Sequence, residues 1–209
     1  MHAKTSVLFG LADVLVRLRL DRGLRSLTAY ARGNAPRPSG PERVFSSPRT
    51  VSYQAGLLTS EQYLLGLAQS YSWADVGYQQ LAAAWSDALD PWPEMANLAE
   101  QIVAAGHPAY LFARTDPLHL ERARELLPLL QRFTALFPSF ETGLAPPAPP
   151  YFQKGLDRFH LKAADCVFLD SDPDSVAAAK QVGLPAHLVT DDLDDVRAFL
   201  RRWDVAFGA

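Results

Sequence analysis

Apolar and polar positions follow two different rhythms along this chain. Near the N-terminus Val7, Leu8 and Phe9 form a short apolar run that Gly10 closes, with Asp13 a few positions on. A brief apolar run ended by glycine and a loop suits a buried parallel strand, although a buried helical piece carries the same signature. Val16, Leu18 and Leu20 then alternate with Arg17, Arg19 and Asp21, an extended period. Asp21 is placed to cap a helix with Leu24, Leu27 and Ala31 on one face. N-A-P-R-P-S-G-P, residues 34–41, reads as a loop. T-S-E-Q, residues 59–62, has the form of a capping box opening a helix with Tyr63, Leu64 and Leu67. A further helix over 74–88 carries Val76, Leu81 and Trp85, and D-P-W-P at 90–93 closes the stretch. Residues 21 to about 88 are therefore expected to be helical, without strands.

Beyond Asp90 helix and strand alternate. Pro93 suits the first turn of a helix burying Met95, Leu98 and Ile102 and ending at Gly106-His107-Pro108. A-Y-L-F-A (109–113) is a strand, Asp116-Pro117 caps a helix with Leu120, Ala123, Leu127 and Leu130 inward, and 133–137 is a short strand. A-P-P-A-P-P (145–150) is a stiff loop in preference to a polyproline ligand for a partner, and a helix over 151–160 follows. C-V-F-L-D (166–170) is a strand, Asp172-Pro173 opens a helix ending at Gly183, and 186–189 is a strand. Thr190 is the expected cap of a last helix burying Leu193, Val196, Phe199, Leu200 and Trp203. Repeated strand–helix units predict an α/β fold, a doubly wound parallel-sheet core with an inserted helical cap. The boundaries are 1–16 and 90–209 for the core and 17–89 for the cap.

Composition narrows the possible functions. The chain has 209 residues, a formal net charge of -3 and about half apolar residues, which gives no electrostatic case for nucleic acid or an anionic membrane. No apolar run reaches the ~18 residues of a membrane helix, and M-H-A-K-T-S runs into the first strand with no signal-peptide pattern. The single Cys166 excludes an internal disulfide and fits a reducing compartment, so a cytoplasmic location is expected. The five histidines are scattered without metal-ligand spacing and read as surface or supporting groups.

Four stretches, in order, resemble the haloacid-dehalogenase-like (HAD) hydrolase superfamily, in particular its small-capped sugar phosphatases. The frame V-L-F-G-L-A-D-V-L (7–15) is similar to a first strand ending in D-x-D-G or D-x-G-x followed by V-L or T-L. L-F-A-R-T-D-P-L-H (111–119) resembles the second motif, L-S-N-T-N-P-x-H. S-F-E-T-G-L-A-P-P-A-P-P-Y-F-Q (139–153) resembles the third, S-x-E-x-G-L-R-K-P-D-P-x-x-F-Q. F-L-D-S-D-P-D-S-V-A-A-A (168–179) resembles the fourth, F-x-D-D-S-x-E-N-x-x-A-A, and Y-Q-A-G-L-L-T-S-E-Q-Y (53–63) is similar to a phrase of the family's cap.

The resemblance implies a nucleophilic Asp, a second Asp as general acid and base, a hydroxyl and a Lys that hold the phosphoryl group, and paired carboxylates on magnesium. This chain has Gly10, Ala12, Ala113, Pro146 and, beside the remaining Asp170, Ser171 at those positions. Ala12 weighs least, because some close relatives have Gly there. Phosphoryl transfer rests on positioning and electrostatic stabilisation, so the expectation is a pseudoenzyme that binds no magnesium and keeps a binding or regulatory role. Three possible roles remain: such a binder, a hydrolase of small phosphorylated metabolites using relocated groups, and a structural subunit. The pocket candidates are Asp13, Arg114, Asp170 and Asp172, with a small anionic or phosphorylated ligand as the expected partner. Asp13 and Asp172 read as a turn residue and a helix cap. Arg114 is expected to reach Asp170, directly or through one water, and depress its pKa, a planar guanidinium meeting a carboxylate.

Overall fold

In a computed structural model, residues 4–31, 35–73 and 76–208 are described, apart from the side chain of Glu42. The elements in chain order are β1 (Ser6–Phe9), β2 (Val16–Leu18), α1 (Leu20–Thr28), α2 (Glu42–Phe45), α3 (Pro48–Gln54), α4 (Ser60–Ser70) and α5 (Tyr78–Ser86). They continue with β3 (Leu89–Pro91), α6 (Pro93–Ala104), β4 (Ala109–Ala113), α7 (Pro117–Leu126), β5 (Ala135–Pro138) and α8 (Pro149–Arg158). The last are β6 (Cys166–Asp170), α9 (Pro173–Gln181), β7 (Ala186–Leu188) and α10 (Leu193–Arg202).

The apolar run at the N-terminus is the middle strand of a five-stranded sheet in the order β5-β4-β1-β6-β7. Every pairing in it is parallel, with Phe9 opposite Leu111 on one side and Leu169 on the other. A central strand buried on both faces can be apolar throughout, and alternate side chains still serve different layers. Val7 and Phe9 pack with Leu98 and Ile102 of α6 and Val196 and Leu200 of α10. Leu8 packs on the other face with Phe152 and Leu156 of α8 and Ala178 and Ala179 of α9. The result is a three-layer α/β core with helical elements inserted after its first strand.

That insertion has its own apolar centre. Leu27, Tyr53, Tyr63, Leu64, Leu67, Leu81 and Trp85 are buried together. Trp85 is the hub: Phe45 stacks on it at 4.7 Å between centroids, Tyr63 meets it edge-on at 5.0 Å, and Tyr63 stacks on Tyr53 at 4.4 Å. Such aromatic pairs contribute about 0.5–1.5 kcal/mol beyond their buried area. The expected capping box is present, with Thr59 Oγ1 accepting from the Gln62 amide at 3.1 Å and Gln62 Oε1 from the Thr59 amide at 2.9 Å.

Several local expectations are corrected. The extended run stops at Leu18, which pairs with Leu89 in an antiparallel β2–β3 ribbon, so a strand does lie in the D-P-W-P region. Helix α1 then starts at Leu20 with Arg19 as its cap; Asp21 sits inside the first turn, where a carboxylate complements the helix dipole. Helix α5 begins at Tyr78, and residues 74 and 75 of the expected helix lie outside the described residues, as does Asn34 of the expected loop. The short helices α2 and α3 had no apolar period to announce them. Leu130 stays buried but belongs to a 3₁₀ turn, Pro128–Arg132, because the residue before proline leaves the helical region. Helix α8 begins at Pro149, proline being tolerated in a first turn. The cap of α10 is Asp192, which accepts from the Asp194 and Asp195 amides, while Thr190 accepts from the Asp192 amide one step earlier. Trp203 ends that helix 36% exposed and is not part of the core.

Thr59→Ala removes one half of the reciprocal cap and is expected to lower unfolding free energy by about 1 kcal/mol. Urea denaturation checks it, with an unchanged m-value indicating that only stability moved.

Candidate functional site

Parallel strands deliver their C-terminal ends to one edge, where α/β folds bind ligands. Here β1 ends at Phe9, with Gly10 following it, β4 at Ala113 and β6 at Asp170. Gly10 and Asp170 are brought together: a Cβ built on Gly10 would stand 2.5 Å from Asp170 Oδ2 and 3.2 Å from Val14 Cγ2. The Asp170 carboxylate therefore fills the space that a side chain at position 10 would need. Its other oxygen accepts the Asp172 amide at 2.8 Å. Ser171 Oγ donates to the Ala12 carbonyl at 2.8 Å, tying the loop after β6 to the loop after β1.

The remaining sequence candidates are used locally. Asp13 adopts φ 50° and its Oδ1 accepts the Leu18 amide at 3.1 Å, which makes it a turn residue. Asp172 caps α9, accepting from the Asp174 amide at 3.0 Å and Ser175 Oγ at 2.9 Å. Ala113 is buried, and its carbonyl lies 3.5 Å from the Tyr151 hydroxyl, which donates to the Phe137 carbonyl. Pro146 is buried in the loop before α8, and Lys154 of that helix is exposed, donating to the Thr142 carbonyl at 2.8 Å.

Arg114 and Asp170 make no direct contact. Arg114 is exposed and makes no hydrogen bond or ion pair among the described residues, and Asp170 is satisfied by backbone amide instead. The pKa moves opposite to expectation. Burial pushes the Asp170 carboxyl up to about 7, with the Asp172 charge adding and the Arg114 charge opposing. Guanidinium and carboxylate are separated because Asp170 turns into the space beside the glycine, away from the cavity that Arg114 lines.

That cavity lies between the sheet edge and the inserted helices, with a volume of about 150 Å³. Ala12, Arg114, Thr115 and His119 line it from the sheet side, and Phe45 and Gln54 from the insertion. Asp170 is not among its lining residues. Among the described residues, no three His, Cys, Asp or Glu side chains gather as an ion site. Asp170 is a single carboxylate beside a hydroxyl already used as a donor, which does not fit a hard cation preferring several oxygen ligands.

Asp116 is the helix cap expected from the sequence, but its meeting with His119 and Trp85 was not foreseen. Asp116 caps α7, taking the His119 amide on Oδ1 at 3.0 Å, and its Oδ2 lies 2.8 Å from His119 Nδ1. Trp85 Nε1 reaches both carboxylate oxygens at 3.2 Å, and the Trp85 carbonyl lies 3.0 Å from His119 Nε2. The signal was the D-P-L-H spacing: a capping Asp that bonds the amide three residues on also meets that residue's side chain.

Residues 45–183 match the model of the haloacid dehalogenase-like hydrolase family. The chain belongs to that family. Its fold is similar to that of a HAD family enzyme from Bacteroides thetaiotaomicron, solved with magnesium and inorganic phosphate, at TM-score 0.77 and 18% identity over 91% of this chain and 96% of that one. A predicted HAD-like family hydrolase from Porphyromonas gingivalis superposes with TM-score 0.79 at 18% identity, covering 96% of this chain and 98% of the other. The L-2-haloacid dehalogenase of Xanthobacter autotrophicus, with chloropropionic acid covalently bound, gives 0.63 at 16% identity over 97% and 84%. At these identities the likeness to HAD structures is one of fold. Among the described residues, no helix of this family member is long and apolar enough to cross a membrane.

The raised Asp170 pKa gives a signed expectation. A carboxyl whose folded value lies above its unfolded 3.8 favours the folded state below that value and loses the benefit as pH rises through about 7. Asp170→Asn keeps the carbonyl that accepts the Asp172 amide. It is expected to raise the melting temperature at pH 8 and leave it unchanged near pH 4, as thermal melts across pH will show.

Proposed function

We propose that this HAD-family protein has lost phosphoryl transfer and keeps a binding role, with 17–89 acting as a cap over the cavity. The observation that carries this reading is the Gly10–Asp170 contact. The strand end that would present a nucleophile has no side chain, and a neighbouring carboxylate occupies the space. Covalent catalysis needs a nucleophile and groups that support its charge. Ala113, Pro146 and Ser171 supply none of the hydroxyl, ammonium and second carboxylate that the family motifs place there. What persists is a small cavity with one guanidinium, Arg114, and apolar walls from Leu11, Leu18 and Phe45. A small anionic or phosphorylated molecule fits that chemistry.

A second reading, a hydrolase with relocated groups, draws on the Asp170 carboxyl pushed up to about 7, where it could exchange a proton at neutral pH. Its absence from the cavity wall favours the first reading.

Purified protein is expected to show no magnesium-dependent turnover of a phosphate-ester panel above a mock purification. Turnover that copurifies with the protein and disappears in Asp13→Ala or Asp170→Asn would overturn the binder reading. Gly10→Asp is expected not to restore activity, since it crowds Asp170 and leaves the new carboxylate unsupported, and residues acting as a unit are strongly non-additive.

Thermal-shift screening against phosphorylated and carboxylated metabolites reads binding directly. A ligand at 100 times its dissociation constant stabilises by about 2.7 kcal/mol, and Arg114→Gln should abolish the shift. Binding that survives Arg114→Gln would place the ligand elsewhere.

A further inference from the structure

The Asp116–His119–Trp85 cluster joins two parts of the chain. Asp116 and His119 belong to the start of α7, beside the sheet, whereas Trp85 belongs to the last turn of α5 in the inserted segment. All three are buried. Trp85 touches the pair twice: its indole N–H donates to the carboxylate, and its carbonyl faces the imidazole. The ring also stacks on the His119 imidazole at 5.0 Å between centroids.

The hydrogen-bond geometry sets the proton count. His119 Nδ1 faces a carboxylate oxygen at 2.8 Å and Nε2 faces a carbonyl oxygen at 3.0 Å. Neither partner carries a proton to give when Asp116 is ionised, so both ring nitrogens must donate, and only the imidazolium has two N–H groups. Asp116 is ionised because it accepts from the His119 amide and the Trp85 indole besides the ring, and such donors favour the charged form. The cation also lies at the C-terminal end of α5, where helix carbonyls attract positive charge.

We propose that Asp116 and His119 form a protonation-dependent latch that holds the inserted helical segment against the sheet through Trp85. The site of failure follows from the geometry. When His119 loses one proton, the other stays on Nδ1, held by the carboxylate. Nε2 then presents a lone pair to the Trp85 carbonyl, so one of the two polar contacts that Trp85 makes between the two parts is broken, and the indole contact to Asp116 is left alone. His119 also lines the cavity with Arg114, so the latch borders the ligand space. The latch does not depend on whether that cavity binds a ligand or does chemistry.

Electrostatics around the pair agree. Burial is the largest single influence and disfavours both charges, but the partner's charge and the hydrogen bonds of the cluster, those of Trp85 included, together outweigh it, so the Asp116 pKa lies below its usual value and that of His119 above. Other ionisable groups lie around the pair. Tyr53 of α3 and Tyr63 of α4 are held well above the usual phenol value by burial and by the Asp116 charge. Around α7 itself, Arg122 pairs with Glu125 on its own outer face. On β3, Asp90 pairs with Arg22 at 2.5 Å and Arg19 at 3.2 Å, and in the 3₁₀ turn Arg132 pairs with Glu100 at 3.0 Å. Asp87, at the end of α5, pairs with Arg22 at 3.5 Å, and Arg114 lies in the loop before α7. The latch is therefore complete below pH ~6.5, the unfolded histidine value, and is lost as pH rises through the higher folded value.

Two measurements on the full chain test this. Nitrogen-15 NMR of labelled histidine should show both His119 ring nitrogens protonated at pH 6.5, with proton loss above the ordinary range. A single ring proton at that pH overturns the proposal, and this readout needs no variant. Spin labels at the exposed positions of Gln69→Cys and Glu121→Cys report the separation of segment and core. A single short distance is expected at pH 6.5. A longer one should grow as pH rises, its ratio to the short distance increasing about tenfold per pH unit over the titration range. In His119→Gln the distribution should not respond to pH. An unchanged wild-type distribution, or the same response in His119→Gln, would overturn the latch.

Discussion

A fully buried carboxylate constrains much of this fold. Asp116 has no exposure to water, and an uncompensated ion in such a place would carry a penalty of several kcal/mol. Compensation comes from three directions: the first turn of its own helix, the His119 ring, and a tryptophan more than thirty positions earlier in the chain. That last partner requires the inserted helices to sit in one orientation on the sheet. Buried ion pairs add little to stability compared with apolar residues of the same shape, yet they penalise any arrangement that leaves one member alone. Here the penalised arrangement is the one in which Trp85 is displaced.

The aromatic cluster around Trp85 makes that orientation rigid. Phe45, Tyr53 and Tyr63 pack on the indole from the segment side and His119 from the sheet side. Polar fixing and apolar packing meet at one residue, and the cavity next to it takes its shape from both. The strand-end edge is organised differently. Gly10 and Asp170 lie on adjacent strands, and their backbones approach as any parallel pair does, with the Gly10 amide donating to the Leu169 carbonyl at 2.8 Å. What is particular to this chain is the missing side chain at 10, which lets the carboxylate turn inward and be satisfied by a backbone amide. A buried carboxyl in that position loses solvation without gaining a cation, which is why its pKa rises.

Much of the architecture was legible in the residue order. The apolar runs at 7–9, 109–113 and 166–170 could only be strands buried on both faces once helices alternated with them, and the T-S-E-Q capping box fixed the start of α4 to the residue. Gly10, Ala113 and Pro146 were visible as positions without chemistry, because an absent side chain is a fact of sequence. The elements that escaped were those stabilised by partners far along the chain. Leu18 and Leu89 make a ribbon only together, and α2 and α3 owe their place to the cluster around Trp85. Helix caps were misplaced by one or two residues where several capping residues stood in a row, as at Thr190 to Asp192.

Side-chain partnerships belonged to the tertiary structure alone. From the sequence, Arg114 was the one cation that the motifs placed on a strand end expected to neighbour that of Asp170, and Coulomb attraction predicted their pairing; in the sheet β1 lies between the two strands. Rotamer freedom decided otherwise, because the void beside Gly10 and the Asp172 amide offered the carboxylate a nearer partner. His119 looked like one scattered histidine of five, and nothing local could reveal that Trp85 would bring a carbonyl to its second nitrogen. Sequence determined which groups exist and which strand ends carry them. The three-dimensional packing decided which groups meet, since a hydrogen bond depends on ångström distances that hydrophobic period and motif spacing do not encode.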